Sequence, residues 1–156
     1  MALFLSNFTN KIDKKGRVSV PAQFRLAVSD QDFSGIIIYE SFINQSIEGC
    51  DISRIKQLSE SIDELDPFSD NRDAFAASIL GGSVQLPFDS DGRVILPESL
   101  INFANLSDKA TFIGKGKTFE IWQPESFIKY MDNAKNKAKE NRGLLRLKKN
   151  KININD

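Results

Sequence analysis

The feature that most constrains this chain is a turn written twice. Asp13-Lys14-Lys15-Gly16-Arg17-Val18, running on to Pro21, returns as Asp89-Ser90-Asp91-Gly92-Arg93-Val94, running on to Pro97. The offset is 76 residues throughout, and the flanking apolar positions keep step with it: Phe8 on Val84, Ile12 on Phe88, Phe24 on Leu100. Self-similarity at a fixed period marks a repeated supersecondary unit. The chain therefore reads as two copies of one unit, each presenting an arginine in the same place.

Each copy reads as strand, tight turn, strand, short helix, strand. Residues from Phe8 to Ile12 lead into the first turn, and Val18 and Val20 then alternate with polar neighbours, as in a strand buried on one face. Pro21 suits the first turn of a helix through Phe24 and Leu26, because no amide donor is needed there. Ile36 to Tyr39 form a continuous apolar strand. The second copy repeats the plan from Val84 to Phe88, through Val94-Ile95-Leu96 and a helix past Leu100 and Phe103, to Thr111–Ile113. A hairpin through Gly114–Lys117 then leads to Phe119–Trp122. Between the copies, Ile52, Ile55, Leu58, Ile62 and Leu65 recur at helical spacing; Pro67 ends that helix, and Ser69 or Asp70 can cap a second one carrying Phe75, Ala76 and Ile79. Pro124 opens a last helix with Phe127, Met131, Ala134 and Ala138 on one face, and a frayed basic end is expected from Gly143.

The organisation expected is a first unit over 7–50, a helical linker over 51–82, a second unit over 83–126, and a C-terminal helix and basic tail over 127–156. Each unit is too small to bury both faces of its strands. The fold class expected is α+β, a β-barrel shared by the two repeats with helices at its periphery.

Charge matters for what the turns can bind. The 21 basic and 21 acidic side chains cancel, yet nine of the basic ones fall between Lys129 and Lys151, which leaves the body acidic. A nucleic-acid contact by the body must come from a local basic patch. The single Cys50 and the absence of any membrane-length apolar run fit a cytoplasmic protein. Met1-Ala2-Leu3-Phe4-Leu5 lacks the basic leader of a signal peptide.

Enzyme chemistry is poorly supplied. The chain has no histidine, so neither His-based triads nor most catalytic zinc sites are available; no catalytic residue, metal or cofactor is expected. Cys50 reads as a small buried residue, Trp122 and the phenylalanines as core. Asp51, Glu60, Asp63, Glu64 and Asp66 read as a solvated helix face. Gly114-Lys115-Gly116-Lys117-Thr118 lacks the first glycine of a phosphate loop and is followed by a strand. The stretch Pro87 to Glu98 has Pro87 where a calcium loop needs its first ligand.

In the duplicated turn, Gly16 and Gly92 permit a positive φ. Asp13 and Asp89 can accept turn amides and hold the arginine four residues on by a two-point contact. That makes Arg17 and Arg93 rigid forks suited to phosphate or to a guanine edge. The bland alternative is a hairpin in which the pair only fixes the turn. Duplication, and the crowding of Lys11, Lys14 and Lys15 around the first copy, favour nucleic acid.

The paired turns Asp13–Arg17 and Asp89–Arg93 resemble those of the AbrB-like superfamily of bacterial transcription regulators. The stretches Gly92–Pro97, Phe119–Trp122 and Glu48-Gly49-Cys50 narrow the resemblance to the MraZ family, over about residues 3–135. The resemblance implies two AbrB-like, double-psi type repeats intertwined in one barrel. It implies subunits assembled into a ring on double-stranded DNA, and repression through short direct repeats upstream of the division and cell-wall gene cluster, at the nucleoid. Carried onto this chain, Arg17 and Arg93 become the main DNA contacts, with Asp13 and Asp89 positioning them; Lys11, Lys14 and Lys15 join on local charge. Asp91 repels phosphate, so the first repeat is expected to dominate backbone contact. A ring also suits a neutral subunit, whose few phosphate contacts bind weakly alone but gain roughly 10²–10⁴ in avidity when repeated. The alternative is an AbrB-like antitoxin or other protein-interaction module, with residues 129–156 holding a partner.

Overall fold

The structure is a computed structural model that describes residues 2–149. In chain order the elements are β1 (Asn7–Lys11), β2 (Arg17–Ser19), α1 (Ala22–Ala27), β3 (Gly35–Glu40), β4 (Ile47–Cys50), α2 (Ile52–Asp63), α3 (Asp70–Phe75) and a π-helical turn (Ala76–Leu80). There follow β5 (Val84–Pro87), β6 (Arg93–Ile95), α4 (Glu98–Phe103), β7 (Lys109–Gly114), β8 (Phe119–Trp122) and α5 (Pro124–Glu140). The spacing of 76 residues holds for β2 against β6 and for α1 against α4 at both ends of each element.

The protein is α+β with antiparallel strand pairing. Six strands form one sheet in the order β1-β7-β8-β4-β3-β5, and β2 pairs with β6 in a separate two-stranded ribbon. The expected closed barrel is therefore corrected to an open sheet, with β1 and β5 at its edges, and a ribbon. The chain reverses at Asp13 and again at Asp89; apart from a single bridge between Ile12 and Val18, β2 pairs with β6 across the molecule. Pro87, lacking a donor, also ends the β5 edge.

Both halves fill one core. Val18, Val20, Phe24, Ile36, Ile38 and Ile47 from the first meet Leu86, Val94, Leu96, Leu100, Phe112, Phe119 and Ile121 from the second. At its centre the rings of Phe4, Phe24 and Phe119 lie 4.9–5.3 Å apart, within the range where aromatic pairs gain beyond their buried area. The other face of β3 offers Ile37 and Tyr39 to a second cluster with Cys50, Ile62 and Ile79, covered by Ile52, Ile55 and Leu58. Burial on both faces explains why β3 reads as a continuous apolar run rather than an alternating one. Burial also pushes the Cys50 thiol up to about 12, with the Asp51 carboxylate adding to it, so the thiol is protonated at neutral pH.

Several sequence expectations change. Asp51 is buried, and its carboxylate caps α2 by accepting the Arg54 amide at 2.9 Å; a cap at a helix start is held by the backbone behind it and cannot be a solvated face. Leu65 lies beyond the end of α2. Ser69 rather than Asp70 caps α3, accepting the Arg72 amide at 3.2 Å. The phenylalanines divide: Phe42, in the loop between β3 and β4, and Phe68 and Phe75, in the linker, are exposed, with the Phe42 and Phe75 rings 6.1 Å apart.

The body ends at Pro124, and a C-terminal unit begins at Glu125. Within that unit Phe127 is buried, Met131 and Ala134 are half-buried and Ala138 is exposed, so the apolar face of α5 stops short of Ala138. A single 3-10 turn follows at Arg142–Leu144, and Lys148 and Lys149 are exposed. Lys151 and the rest of the expected basic end, 150–156, lie outside the described residues.

Candidate nucleic-acid interface

The site is built from the turns upward. In the first turn one carboxylate oxygen of Asp13 accepts the amides of Lys15 at 3.0 Å and Arg17 at 2.9 Å, while the other accepts Arg17 Nε at 2.6 Å. In the second, Asp89 accepts the amides of Asp91 and Arg93 and the Nε of Arg93, each at 2.9 Å. The amides of Gly16 and Gly92 donate back to the carbonyls of Asp13 and Asp89, both at 3.0 Å. Gly16 and Gly92 have φ of 82° and 76°, a left-handed conformation that strains any residue with a Cβ. These bonds to the charged form hold Asp13 and Asp89 below the ordinary carboxylate value, the Arg17 and Arg93 amides contributing most.

Two half-turns become one surface through the ribbon. Arg17 pairs with Ile95, Val18 with Val94, and Ser19 with Arg93. The carbonyl of Gly16 accepts the Leu96 amide at 2.9 Å, and that of Gly92 accepts the Val20 amide at 3.1 Å, so each turn is tied to the opposite half. Side chains alternate across a strand. Val18 and Val94 point into the core, which forces Arg17, Ser19, Arg93 and Ile95 together onto the outer face. Arg17 and Arg93 are diagonal neighbours there, a backbone separation of about 7–8 Å. Both are held by Nε and are about one-third exposed (33% and 31%).

The other sequence-derived residues fall around the first turn. Lys14 and Lys15 are exposed at its tip, and Lys11 is exposed at the end of β1. Lys11 also faces Lys109 directly across the β1–β7 ladder. Opposed like charges destabilise a strand pair unless an anion sits between them. Lys109 was not legible as part of this patch, since only the strand register places it there. The second turn carries Ser90 and Asp91 at its tip, and the Asp91 carboxylate lies 3.4 Å from Arg93 Nη2.

Glu120, read from sequence only as part of a strand, is a further surprise. It is buried and accepts Ser46 Oγ at 2.6 Å, Asn44 Nδ2 at 3.3 Å and Trp122 Nε1 at 3.2 Å, and pairs with Lys115. Its contacts clamp the 41–46 loop to the β7–β8 hairpin rather than face the ribbon. Nothing in the local sequence distinguishes it from an outward strand carboxylate. Among the described residues no group of His, Cys, Asp and Glu is placed to hold a metal. No helix among them is long and apolar enough to cross a membrane.

The arrangement defines a class: an α+β protein whose two halves contribute one strand each to a ribbon armed with two carboxylate-braced arginines. A family model described as "MraZ protein, putative antitoxin-like" matches residues 79–147. The protein named "Transcriptional regulator MraZ" in Pelagibacter ubique (strain HTCC1062) is 51% identical, over 94% of this chain and 95% of its own length. Those of the same name in Rickettsia akari (strain Hartford) and Rickettsia bellii (strain OSU 85-389) are 50% and 52% identical, each over 94% of this chain and 98% of its own length. This chain belongs to the MraZ family.

Proposed function

We propose that the protein is a transcriptional regulator that binds double-stranded DNA through the β2–β6 ribbon. The observation that carries this reading is that Arg17 and Arg93, from opposite halves, share the outward face of one two-stranded ribbon. A two-stranded ribbon is of a width the major groove admits, and a guanidinium is the commonest reader of guanine there. Asp13 and Asp89 position the two forks, Gly16 and Gly92 make the turns possible, and Lys14, Lys15 and Lys11 add phosphate contacts on the first side. On this reading residues 7–50 and 83–126 are two AbrB-like repeats joined by the 51–82 linker, and the 127–156 segment is an accessory.

The names of the relatives support regulation of transcription. One subunit offers few cations, so we read the working form as a ring of copies engaging direct repeats ahead of the division and cell-wall genes, with repression as the result. A fluorescence-anisotropy titration on the duplex upstream of its own coding sequence tests this. The Arg17→Ala/Arg93→Ala double variant should lose about 10²-fold or more in affinity, since each good arginine–base pair contributes about 1–3 kcal/mol. An unchanged affinity and salt dependence in that variant ends the reading. Light scattering with and without the duplex reads out the assembly.

The antitoxin-like wording of the family model, which reaches into α5, favours a second reading in which the C-terminal unit holds a protein partner. Removing residues 129–156 should leave DNA affinity intact if that unit serves only a partner.

A further inference from the structure

The second turn has a neighbour that its own half does not supply. Arg25, on α1 of the first half, lies over Gly92, and its Nη1 donates to the Asp91 carbonyl at 3.4 Å. A Cβ at Gly92 would fall on this guanidinium, so the bare glycine makes room for it as well as permitting the turn. The same packing occurs on the other side with different chemistry. Ile101 stands 76 residues after Arg25, and its Cδ1 would lie 3.6 Å from a Cβ at Gly16. Each helix thus covers the opposite half's turn, one with a cation and one with an aliphatic group.

The charges explain why the difference matters. The first turn carries three cations, Lys14, Lys15 and Arg17, against one carboxylate, Asp13. The second carries Arg93 alone against Asp89 and Asp91, and by itself would repel a phosphate. Arg25 brings it to balance. Among the described residues Arg25 is in no salt bridge, and one of its five donors is occupied by the Asp91 carbonyl. Arg25 and Asp91 also line a groove of about 420 Å³ with Asn10 and Ser19, and Ser19 is the residue paired with Arg93 in the ribbon. The guanidinium is therefore continuous with the face that bears the two braced arginines.

We propose that Arg25 is a DNA-backbone contact lent by the first half to the second, seating a phosphate beside the Gly92 turn where Ser90 and Asp91 cannot. This rests on the DNA-binding reading above. The bland possibility is that Arg25 only neutralises the acidic turn. The experiment is the slope of log K against log salt for the same upstream duplex, with wild type, Arg25→Gln and Arg25→Lys. A phosphate contact contributes about 0.9 to the slope. Arg25→Gln, which keeps a stem and an amide donor, should flatten the slope by about that amount per engaged protomer and weaken binding several-fold at low salt. Arg25→Lys should keep the wild-type slope. An Arg25→Gln slope equal to wild type overturns the proposal, whatever happens to affinity. Should Arg25→Gln fail to fold, Ile101→Arg decides: a cation delivered to the Gly16 turn should steepen the slope, and no change overturns the idea. Failure of the underlying reading looks different, because then Arg17→Ala/Arg93→Ala would bind like wild type.

Discussion

At the first turn, Asp13 braces Arg17 through two amides and one Nε, with Lys14 and Lys15 at the tip and Ile101 beside the glycine. At the second, Asp89 braces Arg93 through the same three bonds, but Ser90 and Asp91 hold the tip and Arg25 lies over the glycine. The bracing is the same within a few tenths of an ångström, but its surroundings differ in charge: two lysines at the first turn, and Asp91 offset by Arg25 at the second. The backbone hydrogen bonds need only Asp, Gly and the residue four beyond Asp, so they survive in both copies. The tip side chains make none of those bonds and are available to differ. An orienting device is thus duplicated while its electrostatic setting is not.

Exchanging the tips puts that asymmetry under the greatest stress. Lys14→Ser/Lys15→Asp, which gives the first turn the second's residues, should flatten the salt slope of DNA binding by about two units per engaged protomer. Fold stability should barely change, because both side chains are exposed. An unaltered slope would mean that the first turn does not dominate phosphate contact after all.

The glycines sharpen the comparison at an intermediate scale. Gly16→Ala and Gly92→Ala each place a Cβ at positive φ, costing about 1–2 kcal/mol in a denaturant titration. At Gly16 the Cβ also meets the Leu96 carbonyl oxygen at 3.1 Å, a backbone atom that cannot step aside, so stability should suffer more there. At Gly92 it meets the mobile end of Arg25, so the added penalty should appear in DNA binding instead. Equal effects of the two variants on both measurements would erase the distinction.

The smallest effect concerns pH and should be the same at both turns. Both aspartates are held below their ordinary value of 3.8, so their bonds contribute fully above it and are lost as pH falls below it through the lowered folded-state values. Stability measured below about pH 4 should therefore fall less steeply in Asp13→Asn and in Asp89→Asn than in wild type, by similar amounts. A response at one turn alone would show that the bracing is not equivalent in solution.

Much of the fold is readable because its signals are short-range. At the first ribbon strand Val18 and Val20 alternate with polar residues, the linker's Ile52, Ile55, Leu58 and Ile62 recur at helical spacing, and Pro21 and Pro97 stand immediately before short helices. Misreadings arise where long-range packing overrides a local pattern. Asp51, read as part of a solvated helix face, is buried as a cap, and Phe42, Phe68 and Phe75, read as core, are exposed; Glu120, on which the local pattern is silent, is held inward by Ser46 and Trp122. The expectation of a closed barrel rests on each unit being too small to bury both faces of its strands, and on the family resemblance. The edges at β1 and β5 depend on which strand finds which partner, and no local residue encodes that.

The amino-acid order alone determined the two turns and their arginines. Every bond that builds them joins residues no more than four apart, so the interactions exist wherever those residues are written. Only the tertiary structure decided that Arg17 and Arg93 share one face, that Lys109 joins Lys11, and that Arg25 covers a turn 66 residues away. Those relations come from two halves burying a common core, and the free energy of that burial belongs to no short segment of the chain.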